Sequence, residues 1–410
     1  MNAFARIDFR EVTRLAQAGR FAEAMALLKG GKTPDGAQDA SGTPRPAKSG
    51  KRSWPAIDMM IPSIQRRAST APGQAKRPTV DPSAGLDGGH APTMRAFRDT
   101  LAKSRSLRGL EKGLGSGRQA LAPVPDGARF EERTFSNHAG SRTYKVFVPS
   151  GYRGQALPVV VMLHGCTQNP DDFAIGTRMN ELAEEQTFLV AYPRQPESAN
   201  VQKCWNWFKV GDQRREGGEP SLIAGIASAV VAEFSADPTR VYVAGMSAGG
   251  AAAAIMAATH PDLFAAVGVH SGLACGAAKD VPTAFAAMGG GGAVRRRGEG
   301  PSAPTIVFHG DGDRTVNPVN GDHVVAQASP DAPLTKVVYQ GQTSGGLTYT
   351  RTIQADDAGR EVLEQWVVHG AGHAWSGGSA RGSYTEPRGP DASAEMMRFF
   401  LAHANPTAAG

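Results

Sequence analysis

From about residue 127 onward, short apolar runs bounded by turn residues alternate with stretches whose apolar positions recur at helical spacing. The runs "PVVVMLHG" (158–165), "FLVAYP" (188–193), "RVYVAG" (240–245), "FAAVGVHSG" (264–272) and "APTIVFHG" (303–310) are continuously apolar and predict strands buried on both faces. Residues 176–186, 220–234, 249–259, 319–328 and 391–403 predict helices between or after them. "RFEERTFSN" and "SRTYKVFVP" predict a hairpin turning at His138-Ala139-Gly140, and "TKVVYQ" and "EVLEQWVVHG" predict two further strands. Strands alternating with helices imply an α/β fold with a mostly parallel sheet covered on both faces.

The first third of the chain follows another pattern. Residues 7–29 predict two short helices: Val12, Leu15 and Ala16 face one way, Phe21, Met25, Ala26 and Leu28 the other. From about 31 to 126 the chain is rich in Gly, Pro, Ser, Ala, Lys and Arg with little periodicity. Such a segment buries too little apolar area to offset its ordering entropy, which predicts a mostly disordered linker. The apolar island "SWPAIDMMIPSI" interrupts it. The expected organisation is a helical segment at 1–30, a basic linker at 31–126 and an α/β domain at 127–410.

Charge sharpens this division. Residues 1–125 hold 21 of the 44 Lys and Arg and 10 of the 38 Asp and Glu, a balance of +11 that leaves −5 for the remainder. The basic character therefore belongs to the arm, which reads as a solvated tail or a docking element; no nucleic-acid partner is expected. The N-terminus lacks the apolar core of about 7–15 residues that a secretory signal requires. No run approaches the roughly 18 apolar residues of a membrane span. Three cysteines, Cys166, Cys204 and Cys275, are too few for a disulfide scaffold and lack zinc-site spacing.

The candidate chemistry starts in "VYVAGMSAGGAAAAIMAATHP", where Gly245-Met246-Ser247-Ala248-Gly249 fits G-x-S-x-G between a strand and a helix. A serine there suits a helix N-cap. It also suits the strained turn that lifts a nucleophile above the sheet, with glycines where side chains would collide. A serine hydroxyl needs a base and an orienting acid, expected downstream in the order acid, then histidine. "HGDGDRTV" supplies Asp313, preferred over Asp311, which shapes the turn. "WVVHGAGHAWSGG" supplies His373 in a Gly-flanked loop, preferred over His369 at the strand end and His323 within a helix. Three separately located elements in the required order favour Ser247 as nucleophile.

Acyl transfer also needs amide donors for the oxyanion. Ala248, following the serine, should supply one, and Cys166 in "LHGCTQNPDDF" the other, with His164 holding that loop in shape. Cys204 opens "CWNWF" in the loop after the next strand. If the two loops share one sheet edge, Cys166 and Cys204 form a disulfide; otherwise they are separate buried thiols. Trp205, Trp207 and Trp375 are candidates for lining an acyl groove, with core packing as the alternative. "MGGGGAVRRRGEG" (288–300) reads as an exposed loop.

Together "LHGCTQNPDDF", "CWNWF", "EPSLIAGI", "VAGMSAGGAAA", "GAGHAWSGG" and "SYTEPRGPDAS" resemble the poly(3-hydroxybutyrate) depolymerase family of esterases over about residues 127–403. The family includes feruloyl and acetylxylan esterase-like members. The resemblance implies an α/β-hydrolase fold, a Ser247-Asp313-His373 triad, Cys166 as oxyanion donor, and hydrolysis of carboxylic esters without metal or organic cofactor. Its polymer-degrading extracellular members usually carry a signal peptide and a substrate-binding domain, and neither is legible here. The missing signal points to the cytoplasm and the family's habits point outside. The expected substrate is poly(3-hydroxybutyrate) or hydroxyalkanoate oligomers. Rival readings are a feruloyl or acetylxylan-type esterase, a granule- or surface-binding protein acting through its basic arm, and a peptidase on the same fold.

Overall fold

A computed structural model describes residues 121–292 and 303–405. The expected helix pair, the linker up to residue 120, and Arg295, Arg296 and Arg297 lie outside the described residues.

Ten strands form one sheet in the order β1-β2-β4-β3-β5-β6-β7-β10-β9-β8. They are β1 (Arg129–Asn137), β2 (Gly140–Val148), β3 (Val159–Leu163), β4 (Leu189–Pro193), β5 (Val241–Met246), β6 (Ala266–His270), β7 (Thr305–Gly310), β8 (Thr335–Gln342), β9 (Thr348–Ala355) and β10 (Glu361–Val368). The run β4-β3-β5-β6-β7-β10 is parallel throughout. Antiparallel pairs close both margins, β1 with β2 and β2 with β4 on one side, β10 with β9 and β9 with β8 on the other. A small parallel pair, β11 (Trp375–Ser376) and β12 (Thr385–Glu386), stands apart.

The continuous apolar runs are explained by two cores. Because successive strand side chains point to opposite faces, Val159, Val161 and Leu163 enter one core while Val160 and Met162 enter the other. The first core is covered by α3 (Gly218–Phe234), α4 (Ala248–Thr259) and α6 (Val319–Ala328), and the second by α1 (Pro170–Thr177), α2 (Met179–Gln186) and α7 (Ala392–Leu401). The alanines of α4 let it lie close on the sheet, with Ala251, Ala253 and Met256 buried.

Three features depart from the pattern reading. The helix expected at 176–186 is α2, and an unexpected helix, α1, precedes it; Arg178, left-handed (φ 59°), ends the first and starts the second. Asn169 caps α1 by accepting from Asp172 N (3.0 Å). Residues 281–290 form α5 (Val281–Gly290), so the glycine-rich segment starting at Met288 begins as helix. Its start is fixed by a capping box, Thr283 N to Asp280 Oδ1 (2.9 Å) and Asp280 N to Thr283 Oγ1 (3.1 Å). Finally, β9 is a strand that "TYTRTIQA" conceals, since its alternation mixes Thr, Tyr and Arg on a half-exposed hairpin.

Candidate active site

The parallel strands end on one side of the sheet, and the candidate catalytic residues follow four of those ends. Ser247 sits between β5 and α4 with φ 57° and ψ −119°. A non-glycine residue held there stores about 1–3 kcal/mol of strain, which persists only where surroundings enforce it. They do: Ser247 N donates to His270 O (2.9 Å), and Ala251 N donates back to Ser247 O (2.9 Å). Its side chain makes no capping hydrogen bond to α4, so the capping alternative has no support in the geometry. A Cβ on Gly249 would stand 1.9 Å from Leu163 O, and one on Gly245 2.3 Å from Gly249 O. Backbone cannot yield by that much, so both positions require glycine.

Asp313 follows β7, and His373 follows β10, which pairs with β7 in parallel register. His373 Nδ1 donates to Asp313 Oδ2 at 2.7 Å. The other carboxylate oxygen accepts from Thr315 N (2.8 Å) and Val316 N (2.9 Å), so Asp313 is fixed on both sides. Burial works against its ionisation. The charge of His373 and the hydrogen bonds from His309 and His373 outweigh this and hold the carboxyl well below the usual range. Asp311 and His369 make a separate pair (2.8 Å) at the surface, with Asp311 Oδ1 accepting from Gly370 N (2.6 Å) and His369 Nε2 meeting Thr350 Oγ1 (2.9 Å). Asp311 thus clamps the turn after β10. His323 lies on α6. Ser247 and His373 share no hydrogen bond in this structure.

The loop after β3 carries Cys166, joined by a disulfide to Cys204. Neither the Cys166 N–H nor the Ala248 N–H donates to another group among the described residues. Around them the loop is tightly bonded. Gly165 N donates to Gln168 Oε1 (2.9 Å) and Thr167 N to Gln202 O (2.7 Å). His164 Nε2 accepts from Gln195 N (3.2 Å), which leaves the proton on Nδ1 to donate to Gly165 O (2.8 Å). Burial pushes its pKa down to about 4, so His164 is a neutral brace. Cys275 takes no part in the disulfide; its N–H donates to Gln327 Oε1 (2.8 Å).

The tryptophans do not line a groove. Trp205 and Trp375 are 0% and 1% exposed, and Trp207 is 4% exposed. Their faces are taken by protein. Trp205 Nε1 donates to His164 O (3.0 Å) and so supports the loop after β3. Trp207 packs edge-on against Phe208. Trp375 stacks on His270 (centroids 4.9 Å apart) and donates to Ser393 Oγ (3.1 Å). The groove-lining expectation is corrected to core packing for all three.

His270 went unread in the sequence, since it ends an ordinary buried strand. Its Nε2 accepts from Ser376 N (3.0 Å), tying the His373 loop to β6, while its carbonyl holds Ser247 N. Burial, and then the imidazoles of His309 and His373, push its pKa down to about 3, so it stays neutral. Nothing but the fold brings residues 106 positions apart into this contact.

The doubly covered, mainly parallel sheet with its serine elbow after β5 is an α/β-hydrolase fold. Residues 142–330 of the chain match the family model described as Esterase PHB depolymerase. The chain is 33% identical over 251 residues to poly(3-hydroxyalkanoate) depolymerase C of Paucimonas lemoignei, covering 58% of this chain and 60% of that protein. It is 32% identical over 165 residues to a probable acetylxylan esterase A of Neosartorya fischeri, covering 39% of this chain and 43% of that protein. The chain thus spans less than two thirds of the length of either relative. The acetyl xylan esterase structure from Aspergillus awamori superimposes with a TM-score of 0.51 at 21% identity, over 67% of this chain and 99% of that one, a likeness of fold. No helix among the described residues is long and apolar enough to cross a membrane.

Proposed function

We propose that this protein is a serine esterase that cleaves carboxylic esters through an acyl-enzyme. The observation that carries the reading is the Asp313–His373 hydrogen bond, formed by residues that follow the same ends of the parallel strands as the strained Ser247 elbow. In the proposed cycle His373 Nε2 takes the proton of Ser247 Oγ as that oxygen attacks the ester carbonyl. The unengaged amides of Cys166 and Ala248 receive the oxyanion. Asp313 keeps the proton on Nδ1 and stabilises the imidazolium. His373 then protonates the departing alcohol, and water releases the acid by the same steps in reverse.

The substrate favoured is a short-chain hydroxyalkanoate ester, oligomeric or amorphous poly(3-hydroxybutyrate), which rests on likeness to the Paucimonas depolymerase. Likeness to an acetylxylan esterase favours acetylated or feruloylated plant-wall esters as the second reading. Product release from amorphous poly(3-hydroxybutyrate), acetylated xylan and methyl ferulate, assayed side by side, tests this. Release of 3-hydroxybutyrate or its dimer is the expected result, and acetate or ferulate release alone would transfer the assignment to the second reading.

The disulfide gives a further expected outcome. It anchors the Cys166 donor without itself being the donor, so Cys204→Ser should cost less than loss of an oxyanion hydrogen bond. We expect kcat for p-nitrophenyl butyrate to fall about tenfold with KM nearly unchanged. Native-state reduction with dithiothreitol should reproduce this drop and reoxidation should reverse it.

A further inference from the structure

A buried, densely bonded carboxylate beside the oxyanion loop takes no part in the proposed chemistry. Glu219, in the first turn of α3, is 5% exposed. Its Oε1 accepts from Gln195 Nε2 (2.5 Å) and Asn206 Nδ2 (2.6 Å), and its Oε2 accepts from Asn206 N (2.7 Å). Three donors converge on one side chain, and only a carboxylate accepts them all without presenting a donor. Taking a carboxylate out of water is costly, and an apolar residue would fill a mere packing position more cheaply.

The bonds beyond Glu219 lead to one place. The Gln195 amide that reaches Glu219 also donates to Cys204 O (2.9 Å), while its backbone N–H supports His164. Cys204 is covalently joined to Cys166, and Trp205 between Cys204 and Asn206 donates to His164 O. Both flanks of the Cys166 amide are therefore referred back to the same carboxylate.

We propose that Glu219 is a positioning residue for the oxyanion loop: its carboxylate ties the segment from Cys204 to Asn206 to Gln195, two residues beyond β4, and through both it holds the Cys166 amide in place. The inference rests on the esterase reading above. The charged groups facing Glu219 are Arg142 from β2, whose Nη2 is 3.9 Å from Oε1, and Asp212 from the 3-10 turn Val210–Gln213, which accepts from Glu219 N (2.8 Å). Burial and then the Asp212 charge raise the Glu219 pKa to about 7, against the hydrogen bonds of Asn206 and Gln195. As pH falls through that value the carboxylate gains a proton where three donors already point, and the loop loosens. Glu219 thus adds an ionisation of its own to the acid limb of activity.

The test compares wild type, Glu219→Gln, Asn206→Ala and Ser247→Ala. Rates on p-nitrophenyl butyrate from pH 5.5 to 9 are normalised to sites titrated with a fluorophosphonate, and the Ki of an alkylboronic acid reports oxyanion-hole geometry. In Glu219→Gln an amide N–H2 meets donors, so kcat per titrated site should fall about tenfold with KM within about twofold. Boronate Ki should rise in parallel, and the acid limb should lose one of its two ionisations. Should Glu219→Gln fail to fold, Asn206→Ala removes one bond of the set and must move kcat and Ki the same way. Wild-type kcat per site and wild-type Ki in the folded variants overturn the inference, whatever their melting temperatures. Activity surviving in Ser247→Ala would instead overturn the esterase reading itself.

Discussion

Replacing Ser247 with alanine should reduce kcat for p-nitrophenyl butyrate by about ten-thousandfold to a millionfold, since in the proposed cycle loss of the nucleophile forfeits the triad as a unit. The fold should persist. The Ser247 side chain makes no hydrogen bond to the helix it precedes, and the turn is held by its backbone, through Ser247 N to His270 O and Ala251 N to Ser247 O. Circular dichroism and thermal melting should therefore track wild type while hydrolysis and fluorophosphonate labelling disappear. A serine acting only as a helix cap would give the reverse, intact turnover with lowered stability. The two readings differ by orders of magnitude in one assay.

Asp313→Asn should cost about ten-thousandfold in kcat, for a reason visible in its hydrogen bonds. Thr315 N and Val316 N both donate to Oδ1, so the asparagine carbonyl must take that position. Its amide nitrogen then occupies the place of Oδ2, facing His373 Nδ1 at 2.7 Å. Two donors cannot share that contact. The imidazole responds by carrying its proton on Nε2, where it cannot accept from Ser247, and the charge that would stabilise the imidazolium is gone. His309 Nε2, 3.4 Å from Oδ2 and hydrogen-bonded to Val316 O, deepens the conflict because it too presents N–H to that site. Asp311→Asn is the control. It breaks an exposed pair with His369 and should change kcat less than about threefold, as exposed ion pairs are weak. Steady-state kinetics of the two variants checks both expectations.

Much of the site could be read from local sequence because its parts obey local rules. A buried strand needs an unbroken apolar run, an elbow needs small residues where backbones meet, and the Leu163 O contact shows why Gly249 is one of them. Those rules work over a few residues. The helix break at Arg178 escaped them since nothing in its neighbourhood marks a left-handed residue, and β9 escaped because a half-exposed hairpin strand need not alternate cleanly. Trp205, Trp207 and Trp375 looked the same as core or as groove wall; burial by residues far along the chain makes them core.

The sequence by itself therefore determined the alternation of strands and helices, the strand–serine–helix turn, and the order in which acid and histidine follow it. Only the tertiary structure decided that Asp313 meets His373 while Asp311 meets His369, that Cys166 reaches Cys204, and that Glu219 and His270 brace loops 13 to 106 residues away. The physical reason is range. Backbone preferences and side-chain periodicity act within a turn or a strand, whereas hydrogen bonds, disulfides and desolvation depend on which distant segments the sheet order sets side by side.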